Sequence, residues 1–148
     1  NNFYSMGTSL ARHSSLSQLV DRAQGYGIKT EQVDGQDIWA VTEAAERIVK
    51  DMRQRHRPYF VEALTYRYQG HGIHDKALNY RSAEEEQKWR DRDPITLLSR
   101  HLVDEKIMSE KQVETLRQQV LHDLEGKLEL AKQDPVPDES ELFSDVTL

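Results

Sequence analysis

The sequence predicts an α/β fold: a parallel strand pair with flanking helices and a helical extension toward the carboxyl end. Three observations predict it. Apolar side chains recur at three- and four-residue steps over residues 38–52, between two short runs of strand character, which is the order of a βαβ unit. The second of those runs leads into a loop dense in aromatics, guanidinium groups, imidazoles and glycine. Beyond residue 81 the patterning is helical to about residue 132.

Taken in order, residues 1–13 carry Asn1, Asn2, Gly7, Thr8 and Ser9 and read as loop. Residues 14–23 read as a short helix. Ser15 or Ser17 can cap it, Leu16, Leu19, Val20 and Ala23 form its stripe, and Gly25 stops it. Residues 27–33 read as a short strand, and Asp34-Gly35 as a turn. Asp37 then caps a helix whose apolar face is Ile38, Val41, Ala44, Ala45, Ile48, Val49 and Met52. Arg53, Arg55, His56 and Arg57 place cations at its carboxyl end, and Pro58 stops it. Residues 59–66 form the second strand, expected to lie parallel to the first. Ligands of such sheets bind beyond the carboxyl ends of the strands, where Thr65-Tyr66-Arg67-Tyr68-Gln69-Gly70-His71-Gly72-Ile73-His74-Asp75 follows.

Ser82 caps a helical segment to about residue 92, and Asp93-Pro94 restarts one with proline at the first helical position. Ser109 with Gln112 forms a capping box for a long helix. Its stripe is Val113, Leu116, Val120, Leu124, Leu128 and Ala131, and Pro135 and Pro137 follow its end. Leu142, Phe143 and Val146 form a small apolar tail.

Composition bounds the function. A chain of 148 residues is one domain or a large part of one. With 31% charged residues and a net charge of −6, it lacks the basic face of a nucleic-acid binder. The absence of cysteine removes a disulfide framework, a zinc knuckle and a thiol nucleophile. No apolar run approaches the ~20 residues of a membrane span. Neither nucleic acid nor membrane is expected as a partner. With Asn1-Asn2-Phe3-Tyr4 at its start and no initiator Met, the chain is expected to begin inside a longer or processed protein.

His71 is the first candidate for chemistry. Gly70 and Gly72 let the backbone approach a ligand, and an imidazole there could donate to phosphate or shuttle a proton. The alternative is an ordinary loop histidine. Asp75 and Arg81 are expected to form an ion pair tying the loop. His71 and His74 alone are too few ligands for a metal. Glu84-Glu85-Glu86 reads as a solvated first helical turn. In Asn1-Asn2-Phe3-Tyr4, carboxamide and backbone oxygens suit a hard cation such as Mg²⁺, although the stretch taken alone is a turn.

Several linked motifs carry a family resemblance. Asn1-Asn2-Phe3-Tyr4-Ser5-Met6-Gly7-Thr8-Ser9, Gln32-Val33-Asp34-Gly35-Gln36-Asp37, Thr65-Tyr66-Arg67-Tyr68-Gln69-Gly70-His71, Tyr80-Arg81-Ser82 and Arg92-Asp93-Pro94-Ile95 follow in order. Together they resemble the carboxyl-terminal half of the alpha subunit of the thiamine-diphosphate-dependent first component of 2-oxo acid dehydrogenase complexes. The pyruvate dehydrogenase branch matches most closely, whereas Leu142-Phe143-Ser144-Asp145-Val146 is more similar to the branched-chain branch.

The resemblance implies half of a thiamine-diphosphate-binding fold. Residues 1–81 would be its βαβ part, with an active-site loop at 66–81, and residues 82–148 a helical region of the same domain. It implies that the Asn2 side chain and the Tyr4 backbone carbonyl bind Mg²⁺, and that Met6 lines the cofactor pocket. His71 would stand beside the diphosphate near the lipoyl path, with Arg67, Asp75, Tyr80 and Arg81 ordering the loop. The family's metal motif runs from Gly-Asp-Gly to Asn-Asn, and only its Asn-Asn end is in this chain, so activity of this stretch alone is not expected.

The implied reaction is oxidative decarboxylation of a 2-oxo acid, most closely pyruvate, with reductive acyl transfer to a lipoyl domain. The implied partners are a beta subunit, in a two-alpha, two-beta assembly, and a lipoyl-bearing acyltransferase. A bacterial cytoplasm is the expected compartment, with mitochondrial matrix and plastid left open. Gly72, His74 and Asn79 stand where animal members carry regulatory serines, so control by phosphorylation of this loop is not expected. The alternatives are a branched-chain or acetoin dehydrogenase alpha subunit, and a non-catalytic interaction domain packing through the stripe from Val113 to Ala131. What separates the enzyme readings from the last is whether Asn2 and His71 converge on one cavity.

Overall fold

In the computed structural model, which describes residues 1–75 and 80–144, the chain is α/β with a parallel strand pair. Strand β3 (Lys29–Asp34) and strand β4 (Tyr59–Leu64) pair in parallel from Lys29 opposite Tyr59 to Asp34 opposite Leu64. Helix α3 (Ile38–Arg55) makes the crossover. The Asp37 side chain accepts from the Trp39 and Ala40 amides and so caps its start. His56, at φ 51°, ends it in the left-handed region, where a non-glycine cap is uncommon. The strands and α3 meet in a core of Val33, Ala44 and Ile48, against which Ala40, Val41, Tyr59 and Ala63 pack. Only part of the apolar stripe of α3 is covered, since Ile38, Val49 and Met52 stay exposed.

The amino-terminal stretch departs from its expected loop. Strands β1 (Tyr4–Ser5) and β2 (Thr8–Ser9) form a small antiparallel hairpin, followed by helix α1 (Leu10–His13). The helix expected over 14–23 is confined to α2 (Val20–Gln24). Its missing first turns have a physical cause. Ser14 Oγ accepts from the Leu16 amide at 3.1 Å, and the Leu19 and Val20 amides turn to the Glu62 carboxylate at 3.0 and 3.3 Å.

Glu62 is the polar centre of this layer. It sits in mid-strand, buried, and also accepts from Asn1 Nδ2 at 2.6 Å and Gln32 Nε2 at 3.0 Å. Burial pushes its pKa up, but the bonds from Gln32, Asn1, Val20 and Leu19 outweigh it and hold the carboxyl below its ordinary value.

Helix α4 (Ala83–Arg90) starts at Ser82, whose hydroxyl accepts from the Glu85 amide. Helix α5 (Pro94–Asp104) starts at Asp93, which accepts from the Ile95 and Thr96 amides. Two compact units divide within α5: Asn1–Arg100, and a second from His101 onward. In the second, the Leu102 carbonyl accepts from both Ile107 and Met108, and Lys106 turns the chain at φ 57°. Ser109 and Gln112 complete the expected capping box of helix α6 (Glu110–Ala131). No residue of α6 is buried, and its stripe of Leu116, Val120, Leu124 and Leu128 is exposed. A 3₁₀ turn (Glu139–Phe143) leaves Leu142 and Phe143 exposed, and Val146 of the expected tail lies outside the described residues. Among the described residues no helix is long and apolar enough to cross a membrane.

Removing the Glu62 carboxylate leaves four donors without their acceptor. Glu62→Ala is expected to cost about 3 kcal/mol in urea unfolding, and Glu62→Gln less. Because the folded carboxyl binds protons more weakly than the unfolded one, its stabilisation is full above the ordinary carboxylate range and is lost as pH falls through it. The pH dependence of stability between neutrality and mild acid should therefore be shallower in Glu62→Gln. An unchanged slope would contradict this.

Candidate functional site

The candidate residues gather at the carboxyl ends of β3 and β4. Gly35 follows β3 closely enough that its amide donates to the Leu64 carbonyl at 2.7 Å, and a Cβ there would lie 2.5 Å from that oxygen. On the other side of β4, the Asn1 nitrogen donates to the Ala63 carbonyl at 2.8 Å and its carbonyl accepts from Thr65 at 2.9 Å. These are the two bonds of a parallel bridge opposite Leu64. The segment from Asn1 thus runs out at the same end of the sheet as the loop after β4.

Two successive side-chain turns shape that segment. Asn1 Oδ1 accepts from the Phe3 amide at 2.8 Å, and Asn2 Oδ1 from the Tyr4 amide at 3.1 Å. Phe3 between them lies at φ 65°, and Met6 in the hairpin turn at φ 53°. For a bulky aromatic such a conformation is unfavourable by roughly 1–2 kcal/mol, so its surroundings must hold it.

Arg81 organises the loop. Its guanidinium donates to the carbonyls of Arg67, Tyr68 (2.7 Å) and Gln69 (3.0 Å) and lies over the rings of Tyr66 and Tyr80. Arg81 is buried, and its Nε has no hydrogen-bond partner among the described residues. The expected Asp75–Arg81 ion pair does not form, because Arg81 is spent on carbonyl oxygens. Asp75 Oδ2 instead accepts from the His71 amide and the Tyr80 hydroxyl, each at 2.7 Å. Those two bonds, the His71 amide foremost, hold the Asp75 carboxyl below its ordinary pKa.

Arg67 closes the circuit. Its guanidinium donates to the Met6 carbonyl at 2.7 Å and the Tyr80 hydroxyl at 3.2 Å, and stands 3.4 Å from His71 Nδ1. The Tyr80 ring packs beneath Gly7, where a Cβ would stand 3.0 Å from it. Of the two glycines around His71, only Gly70 is demanded by space, since a Cβ there would run into the Asp75 carbonyl. Among the described residues, nothing lies within 4 Å of a Cβ placed at Gly72. His71 itself is exposed, and Asn79 lies outside the described residues.

An aromatic cluster backs both stretches. Trp89 stacks on Tyr66 at 5.3 Å with planes 5° apart and meets Phe3 at 5.5 Å, and Tyr4 meets Tyr80 at 5.5 Å. Two residues of this layer were not read from the sequence as part of the site. Glu85, expected in solvent, is half-buried, and its Oε1 accepts from the hydroxyls of Tyr4 (2.8 Å) and Tyr66 (3.1 Å). Burial, then the bond to this carboxylate, pushes both phenols up to about 12. Gln36, also buried, accepts from Thr65 Oγ1 at 3.1 Å and donates to the Tyr68 hydroxyl at 3.3 Å. Tyr68 in turn donates to Asp93 at 3.1 Å. Only the position of Glu85 after its cap was legible; its partners come from distant parts of the chain.

The structure therefore joins Met6, Arg67, His71, Asp75 and Tyr80 in one hydrogen-bonded circuit, with Arg81 beneath it. Asn2 and Tyr4 lie in the adjoining turn, but among the described residues no hydrogen bond joins Asn2 to His71. A cavity of about 470 Å³ beside that turn is lined by Phe3, Tyr4, Leu10 and residues 14–17, and by neither Asn2 nor His71. Among the described residues no group of three His, Asp or Glu side chains could hold a metal ion. The Asn2 carboxamide and the Tyr4 carbonyl offer oxygen only, which fits a hard cation such as Mg²⁺ as part of a larger donor set.

The chain is similar to known proteins along its whole length. The family model described as "Dehydrogenase E1 component" matches residues 1–140. The pyruvate dehydrogenase E1 component subunit alpha of Rickettsia conorii is 34% identical over 146 residues, covering 99% of this chain and 44% of the relative. Its counterpart in Rhizobium meliloti is 39% identical over 149 residues, covering 100% of this chain and 42% of the relative. The mitochondrial counterpart in Schizosaccharomyces pombe is 35% identical over 149 residues, covering 99% and 36%. The chain thus spans less than half the length of these relatives.

If Asp75 sets the turn around His71, Asp75→Ala should speed amide hydrogen exchange across residues 67–75 while the global unfolding transition stays in place. Exchange as slow as in the parent would mean that the carboxylate does not hold the turn.

Proposed function

We propose, for a chain that belongs to the dehydrogenase E1 component family, that the Asn1–Tyr4 turn and the loop of residues 65–81 form two sides of a thiamine diphosphate site. In this reading the whole protein oxidatively decarboxylates a 2-oxo acid, pyruvate in the first instance, and passes the acyl group to a lipoyl domain. One observation supports the reading above others. Two stretches distant in sequence are bonded together where the parallel strands end, through Thr65 to Asn1 and Arg67 to Met6.

Each residue then has a role that follows from its chemistry. Asn2 Oδ1 and the Tyr4 carbonyl would hold Mg²⁺, which in a chain of net charge −6 supplies the positive charge a diphosphate requires. When bound, thiamine diphosphate supplies the nucleophilic carbon and the electron sink that decarboxylation needs. Met6 would border the cofactor pocket. Arg67 can only donate, so the Nδ1 of a neutral His71 facing it carries the lone pair, and Nε2 carries the hydrogen. His71 would thus present an N–H to a phosphate oxygen. Asp75 and Tyr80 fix the backbone and circuit behind it, and Arg81 holds the strand exit. A loop so braced can cover the site, exclude water and gate the lipoyl group.

Residues 1–81 serve, in this account, as the cofactor-binding βαβ part of a thiamine-diphosphate-binding fold, and residues 82–148 as its helical region. A beta subunit, in a two-alpha, two-beta assembly, would complete the site, and a lipoyl-bearing acyltransferase would collect the product. The exposed apolar stripe of α6 offers a partner subunit a surface.

In the assembled full-length enzyme, His71→Ala is expected to slow acyl transfer to lipoyl by about 100-fold with little effect on unfolding. An unchanged overall rate would contradict the role of His71. Asn2→Ala should raise the Mg²⁺ concentration for half-maximal activity by about tenfold or more. Superimposable metal titrations of parent and variant would remove Asn2 from the metal site.

A further inference from the structure

Glu85 belongs to neither the metal turn nor the loop, yet it touches both. Its Oε1 accepts from Tyr4, two residues after Asn2, and from Tyr66, at the exit of β4. The backbone that carries this carboxylate is itself fixed, because Ser82 caps the helix at the Glu85 amide and follows the locked Arg81. One helical turn on, Trp89 occupies the same face and meets both Phe3 and Tyr66. The first turns of α4 therefore grip Phe3 and Tyr4 on one side and Tyr66 on the other.

That grip answers a question the turn poses. Phe3 is held at φ 65°, between the residues whose oxygens face the proposed cation. Its own turn supplies two side-chain bonds, from Asn1 and Asn2. If Asn2 Oδ1 is to face a metal, its bond to the Tyr4 amide weakens, and the conformation must be kept by something else. Tyr4 anchored by its hydroxyl and Phe3 packed on Trp89 are the contacts in place to keep it.

We propose that Glu85 is a positioning residue for the metal-binding turn: by holding the hydroxyls of Tyr4 and Tyr66 on one carboxylate oxygen, it sets the Asn2 and Tyr4 oxygens relative to the loop exit. It acts through the Tyr4 ring on the Tyr4 carbonyl, and does not itself touch metal or cofactor. The inference rests on the proposed metal role of this turn.

The test uses the full-length protein assembled with its partner subunit, and reads Mg²⁺ binding by calorimetry in the presence of thiamine diphosphate. Glu85→Ala should weaken Mg²⁺ binding about tenfold. Glu85→Gln keeps an acceptor oxygen and should stay within about threefold of the parent. Tyr4→Phe should weaken binding too, and Tyr4→Phe with Glu85→Ala should be no worse than Glu85→Ala alone, since both remove one interaction. A lowered thermal midpoint with unchanged Mg²⁺ affinity would make Glu85 merely structural and overturn the proposal. If Glu85→Ala does not assemble, Tyr4→Phe with parent affinity overturns it equally. Asn2→Ala separates the two levels. Weakened binding in Asn2→Ala but not in Glu85→Ala leaves the metal turn standing and removes Glu85. No effect in either removes the metal turn as well.

Discussion

A strand that leaves a sheet strips its carbonyl oxygens of partners, and here one guanidinium replaces them. Arg81 takes the three successive carbonyls after Tyr66 and lies over the rings of Tyr66 and Tyr80. A planar fork of donors suits this task as an ammonium would not. The consequence reaches well past Arg81. With the backbone of residues 67–69 fixed, the Arg67 side chain is free to reach Met6, Tyr80 and His71, and the amino-terminal turn is tied to the loop. Without that backbone the circuit of Asp75, Tyr80 and His71 has nothing to stand on.

Much of the fold was legible because its signals are local. Asp37, Ser109 with Gln112, and Asp93-Pro94 each mark a helix start through bonds to amides two or three residues away. The βαβ unit followed from periodicity, and the parallel register bears it out. The failures fall where a distant group won. A helix over 14–23 matched its stripe, but Glu62 takes the Leu19 and Val20 amides from 43 and 42 residues away. The hairpin of β1 and β2 turns on Met6 at φ 53°, a conformation no propensity would assign to methionine.

The candidate site divides in the same way. His71 stood out as an imidazole between glycines at a strand end, Arg67 and Asp75 entered through the family resemblance, and the structure joins all three. The partners of Asp75 and Arg81 could not be read, because opposite charges six residues apart suggest a pair while carbonyl geometry decides otherwise. Glu85 and Gln36 were hidden for a related reason: each looks like ordinary helix-start or turn chemistry until Tyr4, Tyr66, Thr65 and Tyr68 arrive from elsewhere. Parallel strands are ordinarily covered on both faces, yet Phe60 and Val61 of β4 are exposed, as is the stripe of α6. The energetics of these faces thus depend on cover that the described residues do not supply.

The Asn1–Tyr4 turn and the loop carrying His71 are proposed to address one bound group from two sides. A crystal structure of the assembled full-length enzyme with thiamine diphosphate and Mg²⁺ tests it most directly. Mg²⁺ is expected at about 2.1 Å from both Asn2 Oδ1 and the Tyr4 carbonyl oxygen, with His71 Nε2 in hydrogen-bond reach of the diphosphate. A metal held wholly by other residues, with His71 turned away from the diphosphate, would contradict it.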